Sequence, residues 1–421
     1  MIQGMNIFHS FFIKNGDFMD IKPSEQIKKH IQNLWNKYLL AEITNDIMLN
    51  EISSGLYVEN PDMQWIESLN KQNPLKYGIV SIGFSDTVDD AIENLYNYPE
   101  EFLPYSELTN LIGPEEMYEK IMSGIISQTE ICDEKNITDN PYNKHIHIYK
   151  KIKNALLLKT HETLPFEFFQ SYNNSFNTEN PFLHIKTGFF KEKVSYPVLL
   201  ENNKVWMSIV MSEILSMQKE IEKAHGNVIT YGLGLGYYTF MVSEKENVDT
   251  VTVVEMNEEV IRLFKEQMLP YFPNKDKIRI IKEDAFTYIK SQKDNMYNFA
   301  FADFWKGVED GVFLYLKLLP STQKLKNTEF DFWIERCFME YYFRPVLIKM
   351  LYEKAFKKNI NIYEPSKSIQ KLKKDFEHFI KKQNIIISSE KDVDTLISDA
   401  EIKKVIYKFA ASINYRHEFK S

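Results

Sequence analysis

Three glycines and three carboxylates are spaced along one stretch in the second half of the chain. They are Gly232, Gly234, Gly236, Glu255, Asp284 and Asp303. Alternate glycines let a backbone approach a ligand closely, and a carboxylate at a strand end can accept hydrogen bonds from both hydroxyls of a ribose. A carboxylate beside a reacting centre can also hold a substrate or take up its proton. These residue types therefore favour a nucleoside ligand with an acid–base group nearby.

Each of these groups comes shortly after an apolar run. The runs are 228–231, 250–254, 278–281 and 297–302, and a fifth candidate covers 329–334. Short runs rich in β-branched and aromatic residues are typical of buried parallel strands, and the segments between them have helical spacing. Because the carboxyl ends of parallel strands meet at one edge of a sheet, we predict a ligand crevice at that edge.

The glycine pattern separates two classes of nucleotide cofactor. A dinucleotide fingerprint requires Gly-x-Gly-x-x-Gly. Tyr237 takes the last position if the count begins at Gly232, and Thr239 takes it if the count begins at Gly234. A larger side chain there keeps the backbone away from a pyrophosphate, so the pattern disfavours NAD and FAD.

The same stretch resembles the successive motifs of class I S-adenosylmethionine-dependent methyltransferases, and it looks closest to the spermidine synthase-like branch of that superfamily. The resemblance covers residues 227–305 approximately and rests on 228–237, 253–257, 283–286 and 301–303. It implies an α/β fold with a doubly wound, Rossmann-like methyltransferase sheet. It also implies S-adenosylmethionine as the cofactor.

The resemblance further implies a role for each of the spaced residues. The three glycines would face the methionine moiety, and Glu255 would hold the ribose. Asp284 and Ala285 would contact the adenine edge, and Asp303 would lie beside the reacting centre as the catalytic residue. For Asp303, capping of the loop that follows it is the alternative role.

Two departures from the polyamine synthases bear on the reaction. Those enzymes usually carry Asp where this chain has Leu235, and a second Asp where it has Lys306. The loss of two carboxylates around a cationic substrate weakens aminopropyl transfer, so we predict a methyltransferase that acts on a small-molecule acceptor. An aminopropyl-type transferase is the alternative, and an acidic cluster supplied by Glu213 or Glu309 would favour it. A non-catalytic nucleoside-binding or scaffold protein is the second alternative.

Three aromatic residues are candidates for the wall of the substrate pocket. They are Tyr237, Trp305 and Trp206. Trp206 falls in the second strand, 205–207, of a predicted hairpin that begins at Val194. A helix to Lys223 follows, and this entry to the sheet also resembles the polyamine synthases. There it helps to cover the cofactor, so Met207 and Glu213 are further candidates. Ordinary core packing is the competing explanation for all three aromatic residues.

The remainder of the chain predicts additional units around this core. We expect an N-terminal α+β accessory domain over 1–185 with a tail at 1–18, a hairpin and helix over 186–226, the sheet over 227–363, and a mostly helical extension over 364–421. Tyr77–Ile82 reads as a strand because it is a short apolar run. Asp139–Tyr142 reads as a turn because it contains Asp, Asn and Pro.

Length, charge and cysteine content exclude several other classes of protein. The chain has 421 residues and a net charge of −8, and acidic chains lack the basic footprint of nucleic-acid binding. Its two cysteines supply neither a disulfide framework nor a metal-ligand set, so we expect no metal site and a cytoplasmic location. No apolar run has the length of a membrane span, and homo-oligomerisation is left open.

Overall fold

The centre of the protein is a five-stranded parallel sheet, seen in a computed structural model that describes residues 20–21, 24–99, 105–146, 151–153, 156–172, 180–361 and 364–413. Its strands are β1 (Gly226–Tyr231), β2 (Val248–Glu255), β3 (Ile278–Lys282), β4 (Phe299–Ala302) and β5 (Glu329–Phe332). The spatial order is β3-β2-β1-β4-β5. The predicted α/β architecture with a parallel sheet is confirmed.

The strand order places a ligand crevice at one point of the sheet edge. From β1 the chain moves outward through β2 to β3, and then returns to the other side of β1 to form β4 and β5. Thr230 in β1 pairs with Val253 of β2 on one side and with Phe301 of β4 on the other. In open parallel sheets, ligands bind where the strand order reverses in this way. The crevice is therefore expected beyond Tyr231 and Ala302.

Helices follow the first four strands and pack against the sheet. They are Tyr237–Ser243, Glu258–Gln267, Ala285–Ser291 and Val308–Thr322. Asn257 caps the second of these helices, because its Oδ1 accepts hydrogen bonds from the backbone N–H groups of Glu259 and Val260 at 2.9 and 3.3 Å. Such caps fix where each strand ends and where the following helix begins, which sets the shape of the crevice.

A hairpin and a helix come immediately before the sheet, as predicted. Val194–Glu201 pairs antiparallel with Lys204–Ser208. The turn residues Asn202 and Asn203 have φ values of 51° and 64°, a left-handed pair that matches the twist of two-residue hairpins. The helix Met211–Lys223 then returns the chain to β1. Hairpin and helix both contribute to the crevice.

The N-terminal part of the described chain contains seven helices and two smaller sheets. The helices are Glu25–Ser54, Met63–Ser68, Pro74–Asn97, Ser106–Thr109, Pro114–Gln128, Lys135–Thr138 and Pro141–His145. One sheet joins Thr129–Ile131, Lys186–Phe189 and Phe169–Ser171, and the other joins Lys151–Lys153 and Leu156–Thr163 to the hairpin. The predicted tail at 1–18 lies outside the described residues.

The predicted strand at Tyr77–Ile82 is wrong, because these residues lie in the helix Pro74–Asn97. The side chain of Asn73 accepts from the backbone N–H of Lys76 and Pro74 occupies the first turn, so the helix begins before the apolar run. Ile79, Val80, Phe84 and Val88 are buried at helical spacing. A short apolar run does not distinguish a strand from one turn of a buried helix.

The C-terminal part of the described chain is mostly helical. Its helical elements are Glu335–Phe338, the π-helical turn Met339–Phe343, Arg344–Phe356, Lys367–Lys381, Glu390–Leu396 and Asp399–Ser412. Of these, Arg344–Phe356 and Glu390–Leu396 pack against the long N-terminal helix Glu25–Ser54. Trp35 stacks on Tyr352 with ring centroids 4.7 Å apart, and Ile386–Ile387 pairs in parallel with Asp20–Ile21. The proposed boundaries at residues 185, 226 and 363 stay a prediction.

Candidate functional site

A cavity of about 340 Å³ opens at the carboxyl ends of β1, β2 and β4. Pockets of this size accommodate small organic ligands. The cavity brings nine of the ten predicted site residues together. They are Trp206, Gly232, Gly234, Tyr237, Glu255, Asp284, Ala285, Asp303 and Trp305. Gly236 is the one that does not line it.

The three glycines of the loop after β1 serve different purposes. All three have positive φ, with values of 104° at Gly232, 56° at Gly234 and 79° at Gly236. A Cβ at Gly232 would overlap the carbonyl oxygen of Asp303, and a Cβ at Gly236 would overlap the ring of Phe264. At Gly234 the nearest atom is the Sδ of Met207, 3.9 Å away. Gly232 and Gly236 therefore permit close packing, whereas Gly234 leaves space on the cavity side.

The glycine loop is supported from behind by residues that the sequence analysis treats as a turn. The hydroxyl of Tyr142 donates to the carbonyl oxygen of Leu235 at 2.6 Å. The Asn140 side-chain amide donates to the hydroxyl of Tyr237 at 3.1 Å. Tyr142 is fully buried and packs edge-on against Phe240. The hydroxyl of Tyr237 is thus engaged away from the cavity, although the residue lines it.

Glu255 connects the end of β2 to the glycine loop. Its Oε2 accepts from the backbone N–H of Leu233 at 3.1 Å, and its Oε1 accepts from the backbone N–H of Asn257 at 2.7 Å. Each carboxylate oxygen can accept more than one hydrogen bond. The carboxylate is therefore held in one orientation at the cavity wall, with acceptor capacity left for the hydroxyls of a ribose.

Asp284 and Ala285 form the wall next to Glu255, at the start of the helix Ala285–Ser291. The Oδ1 of Asp284 accepts from the backbone N–H and the hydroxyl of Thr287, at 2.9 and 3.0 Å. Met256 is 69% exposed and also lines the cavity. An exposed thioether side chain beside a carboxylate suits one face and one edge of a flat heteroaromatic ring. The sequence analysis missed Met256.

Asp303 and Glu213 bring two carboxyl groups into the same cavity. Glu213 lies in the first turn of the helix Met211–Lys223, and burial raises its pKa to about 7. Burial raises the pKa of Asp303 well above its usual range, and the negative charges of Glu213 and Glu255 raise it further. Glu309 is exposed in the first turn of the helix Val308–Thr322. Of the two acidic candidates, Glu213 therefore lines the cavity.

Aromatic side chains form the inner end of the cavity. Tyr238 stacks on Phe301 with centroids 4.3 Å apart, and Trp305 lies against Phe338 with centroids 5.7 Å apart. Trp333 donates from Nε1 to the hydroxyl of Ser216 at 2.8 Å, which ties the end of β5 to the helix above. Trp333 falls inside the run 329–334 that predicts the fifth strand, and nothing in that run marks it as a cavity residue.

Lys306 and Trp206 lie at the mouth of the cavity. The Nζ of Lys306 is 5.7 Å from the centre of the Trp206 ring and 3.8 Å from an oxygen of Glu201. Trp206 is half-buried in the hairpin. The mouth therefore carries an aromatic face with an ammonium group over it.

The described ranges contain no group of three or more His, Cys, Asp or Glu residues arranged to hold a metal ion. No helix in that part of the chain combines the length and the apolar character needed to cross a bilayer.

Comparison with known proteins finds similarity in solved structures only. No protein-family model matches the chain, and no curated protein matches it. The spermidine synthase of Thermotoga maritima is 12% identical with a TM-score of 0.26, over 50% of this chain and 64% of that one. A probable spermidine synthase of Corynebacterium glutamicum ATCC 13032 is 13% identical with a TM-score of 0.27, over 42% and 59%.

A third solved structure is a spermidine synthase in complex with the transition-state analogue AdoDATO. It is 13% identical with a TM-score of 0.27, over 50% of this chain and 64% of that one. The chain therefore matches about three-fifths of the length of these proteins. At these TM-scores, the likeness carries no inference about activity.

Proposed function

We propose that the protein is a transferase that moves an alkyl group from an adenosyl sulfonium donor to an amine acceptor, with aminopropyl transfer as the reaction. The observation that carries the proposal is the pair of half-buried carboxyl groups, Glu213 and Asp303, in one cavity with the expected donor site. Glu213 supplies an acid that is missing at Leu235. This acidic pair favours the aminopropyl alternative over the methyltransferase prediction.

The donor would be held along the strand ends. Glu255 would accept hydrogen bonds from the ribose hydroxyls, and Asp284 with Ala285 would border the adenine. The space above Gly234 would receive the chain attached to the sulfur, where the backbone can approach closely. When bound, the sulfonium donor supplies an electrophilic carbon, so the protein has only to align the acceptor and manage its proton.

Asp303 and Glu213 would hold the acceptor amine and remove its proton. An ammonium group that enters the cavity lowers the pKa of both carboxyl groups, because an opposite charge favours the ionised form. The raised pKa of Asp303 makes its carboxylate a stronger base than an ordinary aspartate when the amine gives up its proton. Tyr238 and Trp333 would flank the apolar part of the acceptor.

Methyl transfer is the second candidate, and the side chains at two positions favour it. Leu235 is apolar and lines the cavity where a polyamine synthase would carry an acid, and Lys306 is basic where a second acid would stand. The products distinguish the two reactions. Methyl transfer leaves S-adenosylhomocysteine, whereas aminopropyl transfer leaves methylthioadenosine.

The first test is calorimetric titration of the full-length protein with S-adenosylmethionine, its decarboxylated form and NADH. Binding of an adenosyl sulfonium, followed by release of methylthioadenosine when a diamine is added, would support the proposal. Release of S-adenosylhomocysteine would establish methyl transfer instead. Binding of neither sulfonium would contradict both candidate functions and favour a scaffold role.

Glu255→Gln is expected to weaken donor binding about 10- to 100-fold, which corresponds to loss of a hydrogen bond to a charged group. The amide would also place an N–H group against one of the two backbone N–H groups that Glu255 now accepts from. Calorimetry on the purified variant measures the effect. Glu258→Gln is the matched control, because Glu258 is exposed and pairs with Lys282. Equal donor affinity in Glu255→Gln and wild type would contradict the ribose-binding role.

The ionisation of Glu213 is expected to produce a rise in activity centred near pH 7. Burial raises its pKa to about 7, so the carboxyl is neutral below that pH and attracts an ammonium group only above it. In Glu213→Gln this step in the pH profile of kcat/KM should disappear. Rates measured for both proteins from about pH 5.5 to about pH 9 check it.

The same carboxyl group should lower stability as the pH rises. A raised folded-state pKa means that the folded protein binds more protons than the unfolded chain between the two pKa values. The free energy of unfolding therefore falls as pH rises through that window, up to about 7. Glu213→Gln should consequently raise Tm at about pH 8 and have little effect at about pH 4. A pH step that persists in Glu213→Gln would assign the ionisation to another group.

A further inference from the structure

Lys306 has the opposite charge to its surroundings in the cavity. Among the described residues that line the cavity, Lys306 is the one with a basic side chain, whereas five others carry carboxyl groups. These are Glu213, Glu255, Glu283, Asp284 and Asp303. An acidic cavity suits a cationic ligand, and a single lysine at its mouth is unfavourable for a ligand that is cationic along its whole length. Its presence calls for an anionic group on one of the reactants.

The backbone of Lys306 is fixed, so its side chain starts at the mouth of the cavity. The backbone N–H groups of Lys306 and Gly307 both donate to the carboxylate of Asp310, each at 2.9 Å. These bonds form a cap at the start of the helix Val308–Thr322. Lys306 is the third residue after Asp303, so the same short loop carries both groups into the cavity.

The partners of the Lys306 ammonium leave it available to a ligand. Its contact with Glu201 is 3.8 Å long, and the two side chains are 68% and 39% exposed. A hydrogen bond of good geometry is about 1 Å shorter, and an exposed ion pair contributes little. The face of Trp206, 5.7 Å away, adds only a weak cation–π attraction. A carboxylate at the mouth would offer a stronger partner than either.

Neighbouring positions agree with this charge pattern. Leu235 leaves the cavity without an acid at the glycine loop, and Lys306 places a base at its mouth. Acids at these two positions would attract a second amine and repel a carboxylate. Leu235 does not repel a carboxylate, and Lys306 attracts one.

We infer that Lys306 binds a carboxylate carried by one of the two reactants, so that the enzyme uses an amino-acid-type reactant rather than two simple amines. The inference rests on the proposed alkyl transfer. If the donor carries the carboxylate, the acceptor nitrogen forms a bond to the γ-carbon and the C–S bond breaks. The electron pair goes to sulfur, methylthioadenosine leaves, the amine proton passes to Asp303, and the group transferred is 3-amino-3-carboxypropyl. If the acceptor carries it, an amino acid is alkylated.

Two matched pairs of probes identify the reactant. S-adenosylmethionine and its decarboxylated form differ by one carboxylate, as do ornithine and putrescine. Wild type and Lys306→Met are titrated with both donors, and then with both acceptors in the presence of saturating methylthioadenosine. In Lys306→Met we expect the carboxylated member of one pair to lose about tenfold in affinity and its partner to change by less than about twofold. The pair that responds identifies the source.

Lys324→Met is the control for a lost positive charge, because Lys324 is exposed beyond the opposite end of the same helix. It should change none of the four affinities. Equal ratios within both probe pairs for wild type and Lys306→Met would overturn the inference while leaving alkyl transfer intact. Failure of wild type to bind either donor would instead overturn the proposed function, and the inference with it.

Discussion

Asp303→Asn is expected to lower kcat about 10²- to 10⁴-fold, with donor affinity within about threefold of wild type. The amide keeps the size of the side chain but can neither take a proton nor stabilise an ammonium group. Among the described residues, none donates a hydrogen bond to the Asp303 carboxylate. The backbone N–H of Asp303 donates to the carbonyl oxygen of Tyr231 at 2.8 Å. The loss should therefore fall on the chemical step. Single-turnover rates with saturating donor measure it directly.

The same substitution should make the protein more stable at alkaline pH. The raised pKa of Asp303 means that ionising its half-buried carboxyl costs folding free energy, and the amide avoids that cost. A gain in Tm together with a loss of rate would indicate that the Asp303 carboxyl serves activity at the expense of stability. Asp276→Asn, at an exposed acid near the start of β3, is the control and should change neither quantity. Wild-type kcat in Asp303→Asn would exclude Asp303 as the base.

Gly232→Ala is expected to destabilise the protein by about 2–5 kcal/mol and to abolish donor binding. A Cβ at this position would overlap the carbonyl oxygen of Asp303, and the backbone φ of 104° is strained for any other residue. The end of β1 could accommodate the methyl group only by moving away from the end of β4. Urea unfolding followed by circular dichroism gives the change in free energy, and calorimetry gives the change in donor affinity.

Gly234→Ala distinguishes an effect on donor binding from an effect on folding. Its Cβ has a single neighbour within 4 Å, so the methyl group fits the folded protein and projects into the space assigned to the donor. We expect the free energy of unfolding to fall by about 1–2 kcal/mol because of the positive φ. The binding free energy of the donor should fall by more than this. Wild-type stability in Gly232→Ala would contradict the packing described here. Wild-type donor affinity in Gly234→Ala would contradict the position assigned to the donor.

The sheet was predictable because its signals are local. β1 and β4 are short apolar runs that stop at a glycine and at an acidic residue, so their ends at Tyr231 and Ala302 can be read from adjacent positions. Residues just past strand ends meet in space as a consequence of the parallel order. That is why Glu255 and Asp303 could be placed in one crevice from sequence alone.

The rest of the site depends on contacts that local patterns do not encode. Tyr142 and Leu235 are 93 positions apart, and Asn140 and Tyr237 are 97 apart. No spacing rule connects them. The different surroundings of Gly234 and Gly236 follow from the course of the loop, which a run of alternate glycines leaves undetermined. Tyr77–Ile82 shows the complementary limit, since its apolar run fits a strand and a helix equally well.

The ring of Tyr142 makes the ligand loop a joint property of two distant stretches of chain. It fills the space beside Phe240 and Phe272, and its hydroxyl holds the carbonyl of Leu235. The glycine loop would therefore not keep its conformation if the sheet were separated from the N-terminal part of the chain. A substitution near Tyr142 in the N-terminal part would therefore alter the glycine loop through this contact.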